Sequence, residues 1–220
     1  MRLAVLISGR GSNLRALMGA CSDPDFPASV ALVICNRPGA KGIETADAAG
    51  IPVRLIDHKA FLNRADFDAA LDKALRAARI ELVCLAGFMR LLTEDFVTTW
   101  AGRMINIHPS LLPAFRGTDV HARAIAAGVK ISGCTVHFVT PEMDSGPIVA
   151  QGAVPVLDDD TPETLAARIL EAEHVLYPMA VRLIAEGRVR IEDGVTRVRD
   201  GDLPSSGTAA LMWPRSRGGR

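Results

Sequence analysis

Short apolar runs alternate with amphipathic stretches through most of the 220-residue chain, the pattern of a parallel sheet covered by helices. Runs near 2–7, 30–35, 52–56, 81–86, 103–108, 132–139 and 148–156 predict strands. Residues 64–79 place Phe67, Ala70, Leu71, Ala74, Leu75 and Ala78 at helical spacing, which predicts a core-facing helix with Asp66, Asp68, Asp72, Lys73 and Arg76 in solvent. A second helix is predicted to start at Thr161-Pro162-Glu163, where Thr161 caps it and Pro162 fits the first turn. The acids Asp158, Asp159 and Asp160 suit that positive helix end better than a metal. Leu165, Ile169, Ala172, Leu176, Met179 and Leu183 form its stripe, and Pro178 predicts a kink after Tyr177. Asp193-Gly194 between short apolar runs predicts a hairpin over 189–198.

The expected fold is therefore α/β and Rossmann-like, a mostly parallel twisted sheet with helices on both faces and a small C-terminal hairpin. Residues 1–204 are expected to form a single domain, and the Ser, Gly and Arg-rich stretch 205–220 a disordered tail. Equal numbers of basic and acidic residues, 25 of each, leave no global field to attract nucleic acid or an anionic membrane. Leu3–Ile7 is too short for the core of a signal peptide, and no apolar run reaches the roughly 18 residues of a spanning helix, so a cytoplasmic address is expected. Cys21, Cys35, Cys84 and Cys134 form no CxxC pair and predict buried free thiols rather than disulfides or a metal site.

Chemistry concentrates in Met104-Ile105-Asn106-Ile107-His108-Pro109, where the period of two sends Asn106 and His108 to one face at a strand's end. Pro109 and Pro113 then end the ladder. In the strand near 132–139, Cys134, Val136 and Phe138 read as core, leaving Thr135 and His137 on the face expected to line a cleft. Asp144 ends the turn-rich loop 140–147 and is the natural carboxylate partner for His108, able to favour the imidazolium form. At the amino terminus, Ser8-Gly9-Arg10-Gly11-Ser12-Asn13 follows the first strand and opens a helix over about Ser12 to Cys21. Such a turn suits an anion at the helix start, and tight packing explains its glycines equally well. Glu173 lies beside the apolar stripe of the last helix, where it must be paired or reach solvent, and solvent is the simpler expectation. Leu85 to Met89 reads as a core strand running into a turn.

Taken in order, SGRGSNL, LAGFMRLL, NIHPSLLP, TVHFV, MDSGPIVAQ and EAEHVLYP resemble the folate-dependent formyltransferase family from Arg2 to about Pro204. The resemblance implies transfer of a formyl group from the co-substrate 10-formyltetrahydrofolate to the amine of 5-phosphoribosylglycinamide in purine synthesis, without metal. Asn106, His108 and Asp144 match the family's catalytic trio, with Thr135 and His137 in support. Gly11, Ser12, Asn13 and Glu173 match contacts to the ribose-phosphate substrate. Arg64, Met89, Arg90, Leu91, Leu92 and Asn106 match contacts to the formyl-folate. Only small-molecule partners are implied, with a monomer or weak homodimer expected. Asp119 departs from the family, standing where a His is common. Within the family a formyl-folate hydrolase or a methionyl-tRNA formyltransferase is disfavoured, since each is expected to carry a further domain. Outside it, a nicotinamide oxidoreductase is disfavoured because Leu14 breaks the GxGxxG spacing and Asn36, not an acid, ends strand two.

Overall fold

The computed structural model describes residues 1–199. Its main strands are β1 (Arg2–Ile7), β2 (Ser29–Cys35), β3 (Val53–Leu55), β4 (Leu82–Leu85), β5 (Met104–His108), β6 (Ile131–Phe138) and β7 (Ile148–Pro155). They form one seven-stranded sheet in the order β3-β2-β1-β4-β5-β6-β7. The pairings from β3 to β5 are parallel, and β6 and β7 join antiparallel. After β1 the chain builds outward to one side and then returns to the other through β4, which opens a crevice at the carboxyl ends of β1 and β4.

Helices α1 (Ser12–Cys21), α2 (Lys41–Ala48), α3 (Arg64–Ala77), α4 (Glu94–Thr99), α5 (Val120–Ala126) and α6 (Pro162–Ala185) cover the sheet. Period two in the central strands divides the core. Leu3, Val5 and Ile7 of β1 join Leu14, Leu17, Ala124, Leu165 and Ile169 on one face. Ala4 and Leu6 meet Phe67, Leu71, Leu75, Phe96 and Trp100 on the other. The helix expected over 64–79 is α3, capped by the Asn63 side chain on the Asp66 N–H. One of its charges departs from expectation: Asp68 is 3% exposed and accepts the Thr93 N–H at 2.6 Å. Helices α2, α4 and α5 are short turns of chain that no extended apolar stripe announced.

Helix α6 starts on a capping box in which Thr161 and Thr164 exchange side-chain and backbone bonds, and it continues through Pro178. Asp160 serves that end as expected, gripping Arg168 through two oxygens at 2.7 and 2.8 Å and accepting the Leu157 N–H. Met179, placed in the stripe by its spacing, is instead 45% exposed. The expected hairpin is β8 (Val189–Glu192) with β9 (Val195–Val198), turned at Asp193 and Gly194, both with positive φ. Thr196 Oγ1 donates to the Ile148 carbonyl and ties this hairpin to β7. The tail expected from 205, and the domain limit at 204, lie outside the described residues. Among the described residues no helix is long and apolar enough to cross a membrane.

Candidate active site

Strand β5 delivers Asn106 and His108 to the same face as expected, because Ile105 and Ile107 are drawn to the core on the other. Asn106 pairs across the sheet with His137, and His108 with Thr135. The Asn106 amide nitrogen lies 3.3 Å from His137 Nε2. His137 Nδ1 is 2.9 Å from the Phe138 carbonyl, which can only accept, so Nδ1 carries the hydrogen and Nε2 accepts from Asn106. Burial pushes the His137 imidazolium down, in keeping with that neutral tautomer. The 3.8 Å approach of His137 Nε2 to Asp144 is accordingly no ion pair.

His108 is 5% exposed and faces two acceptors. Its Nε2 donates to the Phe115 carbonyl at 3.1 Å, and its Nδ1 lies 3.5 Å from Asp144 Oδ2. That carboxylate oxygen also accepts the Gly117 N–H at 2.8 Å. Asp144 thus joins the loop after β6 to the loop after β5, and Arg116 joins the same loops at their rim through Glu142 at 2.9 Å. Two residues later Gly146 passes so close to the Phe138 carbonyl that a Cβ would overlap it.

Thr135 and His137 are 0% and 2% exposed, so they do not line an open cleft as expected. The loop 109–116 folds onto Thr135, which becomes its anchor, while His137 is held among Asn106, Asp144 and the Phe138 carbonyl. Its hydroxyl donates to the Ser110 carbonyl at 2.7 Å and accepts the Leu112 N–H at 3.0 Å. Gln151, which the sequence pattern did not single out, donates to Thr135 Oγ1 and to the Leu112 carbonyl. His121 was also missed: its Nε2 is buried without a partner, and burial together with nearby His108 pushes its imidazolium down.

Two strands away, roughly 10 Å across the sheet, the turn after β1 leads into α1. Gly11 has φ 72°, and a Cβ there would meet Gly42 Cα at 2.9 Å, so packing against α2 accounts for this glycine. No side chain caps α1, which leaves its first N–H groups without an intrahelical partner. Asn13 donates to Glu173 at 2.7 Å, and Glu173 is 6% exposed rather than solvated. Burial raises its carboxyl above the usual range, and the Asn13 bond only partly offsets that. Asn13 Oδ1 remains buried and unpartnered. Ser12 is half-buried beside them.

Between these halves lies the loop after β4. Met89 and Leu91 stand 66% and 59% exposed, an arrangement suited to a flat apolar ring laid against backbone amides. Arg90 sits over the Phe67 ring at 5.8 Å, Phe67 stacks on Phe88, and Leu92 packs toward the same cluster. Arg64 is exposed at the first position of α3, one turn before Phe67. Asp119 is exposed at the start of α5. Among the described residues no group of three His, Cys, Asp or Glu side chains is placed to hold a metal ion.

Residues 1–181 match the formyl transferase family. The chain is 41% identical over 208 residues to phosphoribosylglycinamide formyltransferase of Haemophilus influenzae, covering 94% of this chain and 98% of that protein. It is 49% identical over 191 residues to the trifunctional purine biosynthetic protein adenosine-3 of Gallus gallus, covering 87% of this chain but only 19% of that much longer relative. The crystal structure of glycinamide ribonucleotide transformylase 1 from Symbiobacterium toebii superposes with a TM-score of 0.89 at 50% identity, over 91% of this chain and 94% of that one. With its sheet, its crevice and its sequence all in agreement, the chain belongs to the formyl transferase family.

Proposed function

We propose that the chain transfers the formyl group of 10-formyltetrahydrofolate to the primary amine of 5-phosphoribosylglycinamide, a step of de novo purine biosynthesis. The observation that carries this reading is the convergence of Asn106, His108 and Asp144 at the end of β5. In this reading the uncapped start of α1, with Gly11, Ser12 and Asn13, takes the substrate phosphate, and Glu173 the ribose-glycinamide portion. Met89, Arg90, Leu91, Leu92, Arg64 and the Asn106 amide hold the formyl-folate.

No protein nucleophile is needed. The Ser110 and Ser145 hydroxyls donate to backbone carbonyls rather than to a histidine, and burial pushes the Cys134 thiol up to about 12. The substrate amine therefore attacks the formyl carbon directly, forming the new C–N bond as negative charge moves to the formyl oxygen. His137 fixes the Asn106 amide so that its second N–H is free to bond that oxygen, and His108 supplies another donor once it turns from the Phe115 carbonyl. His108 then delivers a proton to N10 as the old C–N bond breaks. Asp144 orients the ring and accepts, through water, the proton lost by the attacking ammonium. The reading places this chemistry in a single domain spanning 1–204, working in the cytoplasm as a monomer or weak homodimer.

The test follows deformylated folate by absorbance with and without the amine substrate. Amine-dependent turnover supports the transferase. Equal deformylation without the amine replaces it with a hydrolase, and no reaction with either overturns both.

A further inference from the structure

The residue that opens the phosphate turn is also bonded to the loop on the folate side. Ser8 ends β1's run into the turn and is 6% exposed. Its hydroxyl oxygen accepts the Met89 N–H at 2.7 Å, while its own hydrogen goes to Asn36 Oδ1 at 2.6 Å. Asn36, fully buried at the end of β2, accepts a third bond at its backbone carbonyl from His58 Nδ1 at 2.8 Å. The Met89 N–H and the Ser8 hydroxyl run head to tail into Asn36 Oδ1 and reinforce one another, while His58 holds Asn36 independently through its backbone carbonyl. They line up the carboxyl ends of three adjacent strands, β2, β1 and β4. The far end of the folate-side loop is pinned separately, where Asp68 accepts the Thr93 N–H at 2.6 Å. Between those two pins stand the exposed Met89 and Leu91.

We propose that Ser8 is a positioning residue for the formyl-folate: it fixes the backbone at Met89, and through it the loop 89–92, to the turn that takes the phosphate substrate. The inference rests on the function assigned above. Removing the hydroxyl takes the acceptor from a part-buried N–H, so the loop loosens at the point where the folate ring is to lie.

The experiment compares wild type, Ser8→Ala and Ser8→Thr by equilibrium titration with 10-formyl-5,8-dideazafolate, by KM for the amine substrate, and by hydrogen exchange at the Met89 amide. In Ser8→Ala the Kd for the folate analogue rises about tenfold, the amine KM moves less than threefold, and the Met89 amide exchanges faster. Ser8→Thr, which keeps the hydroxyl, restores all three. Unchanged analogue binding in Ser8→Ala overturns the proposal, as does equal weakening of both substrates, which marks collapse of the phosphate turn. If Ser8→Ala does not fold, Asn36→Ala removes the acceptor that aims the Ser8 hydroxyl. Selective loss of analogue affinity there supports the role, and its absence overturns it. A wild-type enzyme without amine-dependent turnover strikes the reaction itself, whereas normal turnover without selective loss in the variants strikes only Ser8.

Discussion

His137 holds the Asn106 amide from directly across the β5–β6 ladder, 3.3 Å away, with its own second nitrogen committed to the Phe138 carbonyl. Its neutral ring is an orienting acceptor rather than a second acid. Replacing it by leucine preserves an apolar fill and frees the amide to rotate. His137→Leu is expected to lower kcat roughly tenfold to a hundredfold with little change in either KM. A proportional rise in both KM values instead, measured by steady-state kinetics, argues against this role.

Asp144 sets the ring of His108 and the Gly117 backbone. Asp144→Asn keeps the shape and removes the charge. It is expected to cut kcat by roughly a thousandfold while substrate binding, measured by titration, stays within a few-fold. An unaltered kcat removes Asp144 from the mechanism.

Glu173 carries a raised carboxyl because it is buried. The folded state then holds a proton more tightly than the unfolded chain, so this residue's contribution to stability falls as pH rises above the unfolded carboxylate value, about 4.3. Glu173→Gln, which can still accept the Asn13 amide, is expected to raise Tm at pH 8 and to leave it nearly unchanged at pH 4. The same variant should raise KM for the ribose-phosphate substrate. A Tm gain equal at both pH values refutes the electrostatic cause.

Gly146 has no room for a side chain beside the Phe138 carbonyl. Gly146→Ala is expected to destabilise the protein by about 1–3 kcal/mol in denaturant unfolding, and to lower kcat because Asp144 lies two residues before it. Wild-type stability in this variant shows that the loop has slack.

Much of the site could be read from spacing. Asn106 and His108 alternate with isoleucines, and alternation survives folding because β5 buries its other face. The seven strands fell near their expected limits for the same reason. What escaped was set by distant compensation. Glu173 is buried because an amide 160 residues away meets it, and Asp68 because a backbone N–H in another loop does. Thr135 sits under a loop whose path no local pattern encodes. Ser8 and Asn36 look like turn residues until the ends of β1, β2 and β4 are set side by side.

The bond from Asn13 to Glu173 also has a meaning for synthesis of the chain. The turn assigned to the phosphate leaves the ribosome before the rest of the site, yet it is complete only when α6 has been made and docked. A nascent chain lacking α6 presents Asn13 without its Glu173 partner and should not retain the phosphorylated substrate. The earliest-made part of the site is thus the last to become competent, and ligand binding reports that the whole domain has closed.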